Sequence, residues 1–399
     1  MYDIGLPELK ITEKATGENN DYTYQATVKN SPEMCPECGS SHIVKHKKHD
    51  RTIRDLNEYE HRVSIIIHGH RYQCKECGNT FGEELNCVDR SGRLTKRLIS
   101  NIQLECFDKT FKDIADEYGI SQPSVKRIFE DYVDELSETY TRYSPQILGI
   151  DEVHLHNQYC GVFIDVLGQK VIEMTENRNK DTVKEFLKSL PENHKIQCVT
   201  MNMWQPYKDS VLDILGNTPI VIDKVHIIKE MNRVLENISK TLRKDMKKEN
   251  LISLKNMRSL FMTGSERLTS RQVKRLDAFL EAYPQLKTIY YLKEAFCNIY
   301  QFAKTREEAE QMYVNWIQAN KDENCHAFDS FINTVGNWHT EIFNYFDNHY
   351  TTAQTERLNK VIREIDRAGR GYTFPVLRAK ILFRHITEKK GKHISKKKA

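Results

Sequence analysis

The sequence predicts an α/β protein in which a mixed sheet carries a long helical insertion and is preceded by two small modules, a metal-stapled ribbon and a short helical pair. Three observations predict it. Two Cys-x-x-Cys-Gly knuckles stand at 35–39 and 74–78, apolar runs of strand length follow one another from Ile147, and the apolar spacing is helical from Ile227 to about Tyr345. A chain of 399 residues is too long for one small core, so two to four domains are expected. With 39% hydrophobic and 29% charged residues, no apolar run of membrane-span length and an acidic, Pro-containing start (Met1 to Pro7), the chain reads as a cytoplasmic globular protein.

The first 30 residues read as a hairpin, Leu9 to Thr12 and Tyr22 to Val28 flanking a polar Gly17 to Asp21 turn. The knuckles follow. Cys35, Cys38, Cys74 and Cys77 offer four soft thiolates, the closed tetrahedral shell of a structural Zn²⁺ site, and each pair precedes a Gly that lets the backbone fold around the sulfurs. A redox Cys-x-x-Cys needs one pair rather than two similar ones, and a histidine replacing one cysteine is the other alternative, since the insert holds His42, His46, His49, His61, His68 and His70. The remaining six of the ten cysteines are scattered singly, as in a reducing compartment. The insert, notably Glu60 to His68, reads as strands with basic edges, so binding and not catalysis is expected there.

Leu94 to Phe107 has helical spacing, and Thr110 to Phe129 fits a helix-turn-helix. Ala115 is the small residue at the crossing, Gly119 supplies the positive φ of the turn, Ser121 caps the second helix and Pro123 suits its first turn. Ile114, Ile120, Val125 and Ile128 form the expected core, which leaves Gln122, Ser124, Lys126 and Arg127 for a DNA major groove. An ordinary helical hairpin is the alternative.

After Pro145 come strands Ile147 to Leu155, Tyr159 to Leu167 and Lys170 to Thr175, a helix Asp181 to Leu190, a strand Lys195 to Met201, another helix, and a strand Pro219 to Asp223. This is the element order of a ribonuclease-H-like core, whose first and fourth strands lie side by side and would bring Asp151 near Asn202. The helical insertion follows. A late helix through Glu356, Leu358, Val361 and Ile365 closes the core before a last helix from Phe374 to about Thr387 and a basic tail of Lys389, Lys390, Lys392, Lys396, Lys397 and Lys398. The expected division is 1–90 for the N-terminal strands and zinc ribbon, 91–143 for the helix-turn-helix, 144–226 with 350–388 for the catalytic core, 227–349 for the insertion, and 389–399 for the tail.

Over nearly its whole length the chain resembles the DDE transposases of bacterial insertion sequences, ISL-three group. The resemblance is carried by the two knuckles, the helix-turn-helix, Gly149-Ile150-Asp151-Glu152, Thr200 to Tyr207, Asp223-Lys224-Val225-His226 and Thr351 to Asn359. It implies a DNA-binding enzyme: the family cuts and joins element ends with Mg²⁺ or Mn²⁺ held by residues matching Asp151, Asn202 and Glu356, working on terminal inverted repeats and target DNA as a homodimer associated with the nucleoid. Position 202 matches a catalytic Asp and is Asn here. The amide oxygen lacks the full charge, which beside a divalent ion costs about a few kcal/mol, so weak metal occupancy and little cleavage are expected unless Asp223 substitutes. A DNA-binding repressor or recruited copy without catalysis, and a nuclease of the same fold without transposition, are the competing readings.

Overall fold

Each half of the chain has its own core, and what builds each core decides which residues are left at the surface for function. The computed structural model describes residues 3–17, 19–243, 257–323, 326–350 and 353–384. The first unit comprises Met1–Tyr140 with Ile365–Ala399, the second Thr141–Glu364. The basic tail and residues 351–352 lie outside the described residues, as does the end of the last helix beyond 384.

In the first unit, β1 (Leu9–Thr16) and β2 (Tyr22–Val28) form the expected hairpin, joined to β3 (Ile43–Glu58), β4 (His61–Cys74) and the short β5 (Thr80–Gly82) in the order β1-β2-β4-β3, with β5 on β4. The long β3–β4 ribbon divides along its length. Near β1 and β2 it alternates, and Ile53, Val63, Ile65 and Ile67 pack with Leu9, Ile11, Tyr24 and Ala26. Towards the knuckles, β3 exposes every side chain from Val44 to Asp50. That half has no apolar core of its own.

Helices α1 (Lys96–Glu105), α2 (Phe111–Tyr118) and α3 (Gln122–Thr139) follow. Gly119 ends α2 at φ 63°, and the Ser121 hydroxyl accepts from Ser124 N–H with Pro123 in the first turn of α3. Ile114, Val125 and Ile128 are buried as expected, but Ile120 is only half-buried. Its place is taken by the larger Phe111, Phe129 and Tyr132, which the apolar spacing alone did not single out. The ribbon and helices are tied together polarly: Arg62 and Asn57 donate to the Glu117 carbonyl at 3.2 Å, and Arg97 binds the buried Asp55 carboxylate.

The helix over 374–384 belongs to this unit. Its Lys380, 2% exposed, donates to the carbonyls of Cys106 and Lys109 and lies 4.9–5.6 Å from the ring centroids of Tyr372, Phe111 and Phe129. Burial, the largest cause, pulls its pKa down to about 8. A lysine whose folded pKa lies below its unfolded value costs stability while protonated in both states; the cost is fully present below pH 8 and is relieved as pH rises through 8 towards the unfolded value. The urea-unfolding stability of the protein relative to its Lys380→Met variant is therefore expected to rise by about 3 kcal/mol between neutral pH and about pH 10.5. A pH-independent difference would show that the ammonium is not held in this way.

In the second unit, β6 (Ile147–Leu155), β7 (Gln158–Asp165), β8 (Lys170–Thr175), β9 (Cys198–Met201) and β10 (Ile220–Ile222) form one sheet in the order β10-β9-β6-β7-β8. β6, β7 and β8 are antiparallel, while β9 pairs parallel to β6 and β10 parallel to β9. This is the ribonuclease-H-like mixed sheet. α4 (Lys180–Ser189) and α5 (Gln205–Leu215) cover it, α4 through Val183, Phe186 and Leu187. β9 starts at Cys198 and not at Lys195, because Asn193–Lys195 closes a 3₁₀ turn before the strand begins.

α6 (Lys224–Arg243) opens the insertion directly from β10. The helix at 257–262 (α7), α8 (Ser270–Ala282), α9 (Pro284–Phe302), α10 (Arg306–Asp322), α11 (Asp329–Asn337), α12 (His339–Phe343) and α13 (Tyr345–Asn348) continue it, and α14 (Ala353–Gly369) returns to the sheet. The insertion shares the sheet's core: Tyr313, Trp316, Phe343, Tyr345 and Phe346 lie in the same apolar cluster as Ile150 and Val221. Those aromatics are structural. Tyr291, on α9 of the same insertion, is 49% exposed.

Candidate functional site

The knuckles converge on one point. Cys35 Sγ lies 3.7 Å from Cys77 Sγ, Cys38 Sγ lies 3.6 Å from Cys74 Sγ, and all four sulfurs fall within 4.8 Å of one another. Zn–S bonds of about 2.3 Å in a tetrahedron require edges of about 3.8 Å, so the donor set fits a closed zinc site. The backbone N–H of Cys77 is the largest influence drawing the Cys74 thiol down to about 6; Cys77 itself is pushed up to about 12 by neighbouring thiols and burial, against the opposing pull of the Asn79 backbone. Four thiolates this close need a cation between them. No histidine joins the four sulfurs in the group.

On α3, Gln122, Lys126 and Arg127 are exposed and Ser124 is half-buried, its hydroxyl 2.8 Å from that of Ser121. Lys126 shares its charge with Glu130 at 3.5 Å. A second basic surface lies on the exposed half of the ribbon, where Lys47 pairs with Arg71 across the strands and Lys45 and Lys48 flank them. Among the described residues these four cations make no ion pair. Sequence reasoning noted basic edges but missed that they gather on the coreless half.

In the sheet, successive residues of β6 point to opposite faces, so Asp151 and Glu152 serve different neighbourhoods. Asp151 is 6% exposed, and its carboxylate accepts from Glu152 N–H at 2.8 Å and from Asn359 Nδ2 at 2.8 Å. Burial, the largest cause, raises its pKa, with the charge of His226 acting against the rise. Glu152 accepts from Arg178 at 3.0 Å and from Asn202 Nδ2 at 2.6 Å. Asn202 follows β9, next to Met201, which is in register with Ile150. Its amide oxygen is buried with no hydrogen-bond partner.

Glu356 lies on α14 one turn before Asn359, exposed and ion-paired with Lys229. Asn359, not Glu356, makes the hydrogen bond to Asp151, and the i,i+3 spacing on one helix face is the signal that could have found it. Asp223 is fully buried and accepts from Val225 N–H at 3.1 Å, capping the start of α6.

A pair of divalent ions wants several unpaired hard oxygens converging on them. Here Glu152 is neutralised by Arg178, Glu356 by Lys229, and position 202 contributes an amide. Among the described residues the four cysteines are the one group of three or more His, Cys, Asp or Glu ligand atoms within such reach. As arranged, Glu152 and Glu356 each hold a cation and position 202 offers no carboxylate, so the side chains as placed do not form a two-metal set.

Comparison with known proteins agrees with the order of the parts. The zinc-finger model of the transposases of IS204, IS1001, IS1096 and IS1165 matches residues 31–77, and the helix-turn-helix model of transposase family ISL3 matches 83–133. The ISL3 DDE model, described as a transposase, matches 148–381, more than half of the chain. The chain is also similar to the transposase for insertion sequence element IS1001 of Bordetella parapertussis, 24% identical over 351 residues that cover 85% of each chain. Zinc ribbon, DNA-binding helices and mixed-sheet domain thus occur in one order on one polypeptide, and the chain belongs to the ISL3 family of insertion-sequence transposases.

Proposed function

We propose that this chain binds the terminal inverted repeats of its own element as a homodimer, and that the metal-dependent cleavage and strand transfer of its family are held back by Asn202. The observation that carries the binding half is the exposed N-terminal face of α3, with Gln122, Lys126 and Arg127 beyond a buried Val125 and Ile128. A helix so placed can enter a major groove, where Gln122 and Ser124 read base edges and the two cations hold phosphates. The double substitution Lys126→Ala/Arg127→Ala is expected to flatten the log–log salt dependence of DNA binding by about 1–2 units, roughly 0.9 per lost phosphate contact. An unchanged slope would remove α3 from the interface.

The catalytic half rests on Asp151, position 202 and Glu356. In the family reading Mg²⁺ or Mn²⁺ would supply an ionised nucleophile and stabilise the leaving oxygen. In this chain Asp151 is held by Asn359, and Asn202 spends its donor on Glu152. Restoring Asn202→Asp and assaying cleavage of end-containing DNA with Mg²⁺ is the test; no gain of nicking would count against an otherwise intact site. The amide at position 202 favours one second reading, a DNA-binding protein that competes with active copies. Binding without nicking, before and after repair of position 202, would select it.

A further inference from the structure

Beside this pocket, three side chains make a layered stack that neither the fold nor the proposed metal chemistry uses. Arg178 lies with its guanidinium carbon 4.1 Å from the centroid of the Tyr159 ring and 4.2 Å from that of Trp204. Its Nη1 donates to Glu152, which also holds Asn202. Tyr159 is 46% exposed and Trp204 37% exposed, while the arginine between them is mostly covered. His154, across the strand pair from Tyr159, meets that ring edge-on with the centroids 4.8 Å apart. Among the described residues nothing but Arg178 makes a ring or cation contact with Trp204.

The stack is held in position from below. The backbone N–H of Trp204 donates to the carbonyl of Asn202 at 2.8 Å, a turn that sets the start of the indole side chain two residues from position 202. The charge of Arg178 is already taken by Glu152, which leaves flat π surface and not a free cation as what the stack offers. A phosphate or a carboxylate gains little there. A planar neutral ring gains a full stacking contact.

We propose that the Tyr159–Arg178–Trp204 stack is a seat for an unpaired DNA base next to the strand break, with the base continuing the ladder on Trp204. The inference rests on the proposed binding of DNA ends and names which part of the DNA this surface takes. Paired bases cannot reach it, because their faces are covered by their neighbours in the duplex. Only a base at a frayed end, a flap or a single-stranded tail is available.

The test uses the full chain and two fluorescent probes at low salt, a blunt duplex and the same duplex with a short single-stranded tail carrying 2-aminopurine. The protein is expected to quench the tail fluorophore on binding. Trp204→Ala is expected to lose the quenching and to bind the tailed probe roughly ten-fold more weakly, with blunt-duplex affinity unchanged within about two-fold. Trp204→Phe, which keeps a ring, is expected to retain most of the quenching, a rescue that loss of fold or of Glu152 positioning would not produce. If the protein binds both probes without quenching, or Trp204→Ala quenches as the parent does, the stacking seat is wrong and the DNA-binding reading stands. If neither probe binds, the DNA-binding reading fails and the seat fails with it.

Discussion

Stripping zinc from the protein is expected to unfold half of the ribbon and leave the other half folded. The knuckle-proximal segments, 43–50 of β3 and 69–82 of β4 and β5, have few buried apolar side chains and are closed by the ladder and the four sulfurs. Structural zinc contributes on the order of 10 kcal/mol or more to the folding of such modules, far beyond what an exposed two-stranded ribbon supplies for itself. The distal segment keeps Ile53, Val63, Ile65 and Ile67 packed under β1 and β2. Hydrogen exchange after chelation should therefore show amides of 43–50 and 69–82 losing protection by several orders of magnitude while 61–67 change little. Because Lys45, Lys47, Lys48 and Arg71 sit on the part that melts, DNA affinity should fall with it. Uniform loss of protection, or none, would contradict this division.

The second large effect is expected from Asn202→Asp, read as stability. In the parent, the amide donates to Glu152 at 2.6 Å. A carboxylate in its place puts two like charges at contact, with the single Arg178 guanidinium to serve both, a penalty of about a few kcal/mol at an effective dielectric of about 20. For a unit of this size that is a fall of roughly 5–10 °C in the thermal midpoint. Like charges at contact raise a carboxylate pKa, so the loss is small at acid pH and grows as pH rises through the carboxylate range. Millimolar Mg²⁺ or Mn²⁺ should restore the midpoint of the variant and leave the parent unmoved, because a cation is what the new pair lacks. A variant that melts like its parent and ignores the ion would show that charge at 202 is not what the pocket is missing.

Much of this was legible in the sequence because it is written in local patterns. The knuckles and the Gly119 turn with its Ser121 cap follow from spacing, and the placing of β6 beside β9 from the ribonuclease-H-like order of the elements. What was not legible depends on which way a side chain turns where a strand ends. Alternation predicts that a residue paired with Asp151 shares its face, yet Asn202 follows the last residue of β9 and its amide reaches Glu152. The partner of Asp151, Asn359, lies 208 residues away and is found by the helix that Glu356 announces. Lys380 gave no signal, since a buried lysine among aromatic residues reads in sequence as an exposed one.

That lysine has a consequence for how the molecule is made. The helix over 374–384, which closes the apolar face of α1 to α3, is translated after the whole mixed-sheet unit, although the helices it covers are among the first to leave the ribosome. Until then Phe111 and Phe129 lack their lid. A nascent chain, or one ended before residue 374, therefore displays its helix-turn-helix without the helix that packs against Phe111 and Phe129.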